Sequence, residues 1–472
     1  MRVCMPIVYR TLIALATTIA WLACAQTMPN QLAGTFDSNG QSSGTNMNSG
    51  SNPANPQNTA APQTITLRDA LQMAKKNSPD FQAALTGFGL AREDRVQARA
   101  ALLPSVGYNG QFLYTQGNGS ASGRFIANNG VHEYISQGNA HQVFSYSSVS
   151  DFRRARAAEA VAKAKAEIAA RGLVVAVTRT YYTLVTAEHK YSTAQLADAE
   201  AQHFLNISEK LEHGGEVAHS DVIKAQIQYQ QQHRDLQESQ LAMERARLDL
   251  AVLLFPDFNQ NFTVVDDLQS PQPVPTFGEV ANLAANKNPD LRAALSSLQA
   301  AQHEVGVAFG GLLPTLTLDY FYGIDANRFA VNTFDPITNS TFRNLGYSAS
   351  ATLQFPVWTW GAGWSKVKQA KLQRGQAQVE LSFAQRQLLA NLRAFYAETE
   401  TSRSELESLR SSAELAAESL RLTNMRYQAG EATVLEVVDA QNTFTQARNA
   451  YSDGQARFST AIATLQTLTG SF

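Results

Sequence analysis

From Thr66 onward the chain is written twice, and that duplication constrains its fold more than any other feature. Thr66-Leu67-Arg68-Asp69-Ala70 returns as Thr276-Phe277-Gly278-Glu279-Val280. Pro79-Asp80-Phe81-Gln82-Ala83-Ala84-Leu85 returns as Pro289-Asp290-Leu291-Arg292-Ala293-Ala294-Leu295, and Leu102-Leu103-Pro104 as Leu312-Leu313-Pro314. The offset is 210 residues for each of these matches, with no gap between them. A self-similar chain is built from like units, so each half must solve the same packing problem. We divide it into a first repeat at 64–270 and a second at 271–472.

Each half reads as helix, strand pair, very long helix, tight turn, helix. Asn77-Ser78-Pro79 and Asn288-Pro289 mark helix starts, with Pro where the first turn tolerates it. The Leu-Pro pairs at 103–104 and 313–314 close those helices. From about Asp151 to His213, and from about Trp364 to Gln428, there is no proline and the composition is rich in Ala, Glu, Lys, Arg and Leu. At ~1.5 Å per residue each stretch spans nearly ~100 Å, too long for a compact globule. Return helices at 219–253 and 433–470 and pre-strand helices at 79–102 and 289–312, placed end to end, match that length. Leu406, Leu409, Ala413, Ala416, Leu420, Thr423 and Tyr427 alternate by three and four, a coiled-coil seam.

The segments after Pro104 and Pro314 change period. Val106, Tyr108, Phe112 and Tyr114 alternate with Gly107, Asn109 and Gln111. Leu316, Leu318, Tyr320 and Tyr322 alternate with Thr315, Thr317 and Asp319, and Tyr347 to Phe355 repeats the pattern. The first half's return strand, around Val143, Phe144 and Tyr146, is weaker. No segment after the leader has the ~18 or more apolar residues of a spanning helix, so any membrane crossing must use these strands. Four strands cannot close a barrel, and lipid does not tolerate open sheet edges, so copies of the chain must pool strands; three copies would supply twelve. The alternative is a soluble hairpin with one face on a core. Trp358, Trp360 and Trp364, just beyond the last strand, favour the membrane, because indole prefers the lipid–water interface.

Charge and cysteine usage narrow the function. Lys and Arg number 38 against 40 Asp and Glu, which gives no basic excess for nucleic acid. The two cysteines are Cys4 and Cys24, so the body of the chain has no thiol for a disulfide, a zinc site or a nucleophile. Residues 1–25 read as an export signal ending in Ala23-Cys24-Ala25; lipidation of Cys24 is the competing reading. Residues 26–63, rich in Asn, Gly, Ser and Pro, read as a flexible arm. No phosphate loop, His-Glu-x-x-His or serine-nucleophile motif is present, and no metal or cofactor is expected. His213 and His219 flank the first turn and read as solvated.

The duplicated Pro-Asp helix starts, the Leu-Leu-Pro pairs, Pro356-Val357-Trp358-Thr359-Trp360-Gly361, and Arg426-Tyr427-Gln428-Ala429-Gly430-Glu431-Ala432 running on to Asp439-Ala440-Gln441 resemble the TolC-type outer-membrane efflux factor family. The resemblance covers nearly all of the chain from Thr64. It implies a mainly α fold with membrane β: a long coiled-coil helical barrel in the periplasm and four strands per chain in a 12-stranded trimeric β-barrel. It implies an exit duct of a tripartite efflux or type I secretion system, a homotrimer in outer-membrane lipid. The duct would meet a periplasmic adaptor (membrane fusion protein) and an inner-membrane pump of RND or ABC type, and would not be an enzyme. It places the periplasmic aperture at Asp221, Tyr427, Glu436 and Asp439, with a Tyr427–Asp221 constriction link. It places adaptor docking at the turns Gly214-Gly215-Glu216-Val217 and Gly430-Glu431-Ala432. Ala432 stands where well-known members carry a latching arginine, and Lys224 sits opposite Asp439 in the repeat. The rival reading is a lipid-anchored periplasmic coiled-coil rod; a periplasmic enzyme is a further one that the motifs disfavour.

Overall fold

The structure is a computed structural model that describes residues 63–114, 132–257, 261–268, 273–335 and 338–470. The leader at 1–25, Cys24 and all but the last residue of the expected arm lie outside the described residues.

The first repeat contains β1 (Gln63–Ile65), α1 (Leu67–Asn77), α2 (Pro79–Ala100), β2 (Ser105–Tyr114), β3 (His132–Phe144), α3 (Tyr146–His213), α4 (His219–Leu254) and β4 (Phe262–Val264). The second contains α5 (Phe277–Lys287), α6 (Pro289–Gly310), β5 (Thr315–Ala326), β6 (Asn332–Asp335), β7 (Ser340–Arg343), β8 (Leu345–Gln354), α7 (Ala362–Gln428) and α8 (Val434–Thr469). The two long helices have 68 and 67 residues. At ~1.5 Å per residue each reaches ~100 Å. The seam read from the sequence is the packed face of α7: Ala416, Leu420 and Tyr427 are buried and Leu406, Leu409, Ala413 and Thr423 half-buried, with exposed residues around them.

Strands β2, β3, β5 and β8 form one antiparallel sheet in that order, with β2 and β8 at its edges. The registers Tyr108↔Gly138, Gly138↔Tyr322 and Tyr322↔Tyr347 put those residues on one face. That face also carries Val106, Phe112, Leu318, Tyr320 and Leu353; the other carries Asn109, Gln111, Asn139, His141, Asp319, Thr317, Ser350 and Thr352. The weak return strand of the sequence is thus β3, longer than expected and ending at Phe144, while Tyr146 opens α3. Its alternation is faint because Ser136, Gly138 and Ala140 stay small on the apolar face, beneath the flanking tyrosines. The Tyr108 hydroxyl lies 2.7 Å from Ser136 Oγ.

Helix α3 begins five residues earlier than the expected Asp151, because Ser145 caps it through Ser148 N–H. Helices α1 and α5 and the parallel pair β1–β4 were not anticipated. Their signal was in the duplicated Thr-x-x-acid: Thr66 with Asp69, and Thr276 with Glu279, each form a capping box. The connection between β5 and β8 carries a short hairpin of its own, β6–β7.

Two matched cores form around these short helices. Ala70 and Ala74 of α1 pack with Leu173, Val177 and Tyr181 of α3 and Leu250 and Leu254 of α4. Val280 and Ala284 of α5 pack with Leu388, Leu392 and Tyr396 of α7 and Leu465 and Leu468 of α8. Burial pushes the Tyr181 phenol up to about 12. It keeps its proton and donates to Val265 O at 2.6 Å, while accepting from Val265 N–H at 3.0 Å. Arg171 of α3 ties two helix ends, donating to Thr467 O at 2.6 Å and Lys287 O at 3.0 Å.

Beside the sheet the helices pack α2–α3–α6–α7; further away they pack α4–α3–α8–α7. Among the helices, the two repeats come into close contact where α3 meets α6. A Cβ on Gly310 would fall 2.5 Å from Ser147 N and 2.7 Å from Ser147 Cα, so only glycine fits there. Gly310→Leu should therefore separate α3 from α6. The expected cost is about 1–3 kcal/mol, read as a lower thermal-denaturation midpoint in detergent. An unchanged midpoint would show that the close approach contributes nothing.

Candidate functional site

Both helix-to-helix turns use the same device. Gly215 and Gly430 sit at φ 77°, a left-handed conformation that suits glycine. Glu216 N–H donates to Leu211 O, and Glu431 N–H to Arg426 O, the six-to-one bond of a Schellman cap. Val217 and Ala432 lead into the return helices.

Side chains then clip each turn differently. At the first, His219 Nδ1 lies 2.6 Å from Glu212 Oε1, so His219 is engaged across the turn rather than simply solvated. At the second, Arg426 donates to Glu431 O at 3.0 Å and reaches Glu436 at 3.4 Å. Glu436 and Thr433 form the capping box that starts α8. The backbone N–H of Thr433, then its hydroxyl, then the Arg426 charge hold the Glu436 carboxyl below its ordinary value. Arg426 is not among the expected aperture residues, although it opens the Arg426–Ala432 motif that carries the family resemblance.

The expected Tyr427–Asp221 pair does not form within one chain. Tyr427 is buried, its hydroxyl lies 2.9 Å from Ser208 Oγ and its ring centroid 4.9 Å from that of Phe204. A seam position turns the ring inward, where Phe204, Ala225, Val434 and Val437 cover it. Asp221 instead accepts from Lys224 Nζ at 3.0 Å, one turn along its own helix. Asp439 is exposed on α8. The four expected aperture residues thus share one end of the chain, but Glu436 and Asp221 are held locally and Tyr427 is a packing residue. Ser208 and Phe204 had no motif to mark them.

At the junction of sheet and helices, Trp358, Trp360 and Trp364 are strongly exposed, with Trp358 and Trp360 edge to face at 5.7 Å. Trp360 has φ 50° and Gly361 φ 80°. A bulky residue in that region is strained, so the surrounding turn must hold it there. On the polar face of the sheet, His141 Nδ1 lies 2.6 Å from Asp319 Oδ1, directly across the strand pair. Among the described residues no cluster of His, Cys, Asp or Glu is placed to hold a metal ion.

Residues 70–254 and 280–471 match the model of the outer membrane efflux protein family. The chain is 27% identical over 412 residues to the pyoverdine export outer membrane protein OpmQ of Pseudomonas aeruginosa, covering 81% of this chain and 80% of that protein. It is 23% identical over 420 residues to the alkaline protease secretion protein AprF of the same organism, covering 86% and 84%. Among solved structures, the Campylobacter jejuni CmeC outer membrane channel superposes with a TM-score of 0.73 at 18% identity, over 86% of this chain and 85% of that one, which shows a shared fold.

Acid should loosen the second turn. The folded Glu436 carboxyl titrates below its ordinary value of 4.5, so its capping contribution is complete above that pH. It is lost as pH falls through the lower, folded value. Amide exchange at Val434–Val437 should then accelerate relative to the rest of α8. Glu436→Gln should show no such acid step.

Proposed function

This chain belongs to the outer membrane efflux protein family, and on that premise we propose that three copies form an outer-membrane exit duct with its helices in the periplasm. The observation that carries the reading is the sheet: apolar on one face, polar on the other, unpaired at β2 and β8, and continuous with helices ~100 Å long. A lipid-anchored rod needs no such sheet. Joining β8 of one copy to β2 of the next closes twelve strands and removes every edge.

The duct has no energy source of its own. It works with a periplasmic adaptor and an inner-membrane pump, as relatives that export pyoverdine and secrete alkaline protease imply. It carries out no reaction itself and needs no cofactor. The repeats run 64–270 and 271–472. Residues 1–25 direct export, with Cys24 either removed or lipidated, and 26–63 form an arm. Trp358, Trp360 and Trp364 sit at the membrane–water boundary, where an indole keeps its ring in lipid and its N–H in water. The turns at Gly214–Val217 and Gly430–Ala432 receive the adaptor. Glu436 and Asp439, repeated threefold, ring the aperture with negative charge, moderated by Lys224 and Arg426. Tyr427 and Asp221 act at the constriction, Tyr427 by packing the second turn on the first.

Purified protein in planar bilayers should give discrete single-channel conductance with a preference for cations, because a carboxylate ring favours them. Asp439→Asn should move the zero-current potential in a salt gradient toward that of an unselective pore. If Asp439→Asn leaves it unchanged, the ring assignment fails; if no conductance appears at all, the duct does.

A further inference from the structure

We infer that Arg386 is an intersubunit clip: in the assembled duct its guanidinium crosses to a neighbouring copy and bonds the last carbonyls of α1 and α4 there, at Asn77 and Val252. The inference rests on the trimeric reading above and comes from the internal repeat.

Helix α3 maps onto α7 at an offset of 215 residues, which superposes Leu173, Val177 and Tyr181 on Leu388, Leu392 and Tyr396 in the two matched cores. The same offset carries Arg171 onto Arg386. Arg171, a first-repeat residue, holds the ends of two second-repeat helices, α5 at Lys287 O and α8 at Thr467 O. Helix ends carry unpaired carbonyls and partial negative charge, and a guanidinium offers five N–H donors to meet them. The repeat carries Lys287 onto Asn77, each the last residue of its helix, and Thr467 onto Val252, each two before the end. The acceptors are backbone carbonyls, so the pattern survives side-chain divergence. The Arg292–Glu167 ion pair does not survive, because its counterparts are Gln82 and Ser382.

Within one chain Arg386 has no such ends to hold. It is exposed and, among the described residues, reaches only Ser382 O of its own helix, at 3.3 Å. Helix α7 packs on α5, α6 and α8, whereas α1 and α4 lie along the other edge, with α2 and α3. The ends of α1 and α4 are already joined there, Asn77 donating its side-chain amide to Leu254 O.

Burial gives a second line of support. Leu372, Val379 and Leu389 on α7 are 67%, 66% and 58% exposed; their counterparts on α3, Ala157, Ala164 and Val174, are 7%, 1% and 6%. On α4, Leu248 is 48% exposed, and its counterpart on α8, Ala463, is 7%. The two edges of the chain are therefore the two halves of an interface that exists once inside it. The occupant that fits is a second copy of the chain.

The test uses full-length protein in detergent. Arg386→Ala should lower the temperature at which SDS-resistant trimers split. Arg410→Ala, whose partners Glu407 and Glu414 are on its own helix, should leave it unchanged. The double variant Arg386→Cys with Val252→Cys should form covalent oligomers with a short bis-maleimide, and neither single variant should. Trimers of unaltered stability in Arg386→Ala, or no cross-link in a trimeric double variant, would overturn the inference and leave the trimer standing. A monomeric wild-type protein would overturn both.

Discussion

An unpaired backbone in hydrocarbon is the constraint on which this molecule depends. Every second residue of β2 and β8 directs its backbone N–H and C=O outward, and lipid offers no hydrogen-bond partner. The chain cannot resolve this alone, since four strands are too few to close. The remedy must come from identical neighbours, which means a heterologous, ring-closing contact in which one edge meets the other. The helices obey the same geometry. The edge that begins with β2 continues as α2 and α4, and the edge that begins with β8 continues as α7.

The duplication makes that ring economical. Each repeat packs against its sibling inside the chain and against a sibling's copy outside it, so one set of contacts serves twice. Where the internal contact can be inspected, it is close and specific: Gly310 against Ser147, Arg154 bridging to Glu304, Arg171 on two helix ends. The repeats are not identical, and the turns are one place where they differ. The first turn is clipped by His219 and Glu212, the second by Arg426 and Glu436. Tyr427 on α7 bridges between them, packing on Phe204 and Ser208 of α3. The ion pairs at both turns are exposed, so they are weak and screened.

Much of this was legible in the chain. Period-two alternation assigned β2, β5 and β8 because one face of each must be apolar. Heptad spacing found the seam of α7 because its burial repeats every seven residues. Strand β3 was faint, since neighbours on both sides supply the bulk while its Ser136, Gly138 and Ala140 stay small. Helices α1 and α5 could have been read as well, since their capping residues are written twice and Leu67, Ala70, Leu71 and Ala74 fall at helical spacing.

The sequence by itself determined the repeat, the two length scales of helix and strand, and the need for partner copies, because periodicity and composition depend only on neighbours along the chain. Tertiary structure decided what each side chain at the turns touches. Tyr427 turned to Ser208 rather than Asp221, and Asp221 to Lys224. It also decided that Arg171 spans two helix ends, 116 and 296 positions away along the chain. Such choices depend on which helices meet and how they rotate about their axes, and that is settled only when the whole bundle packs.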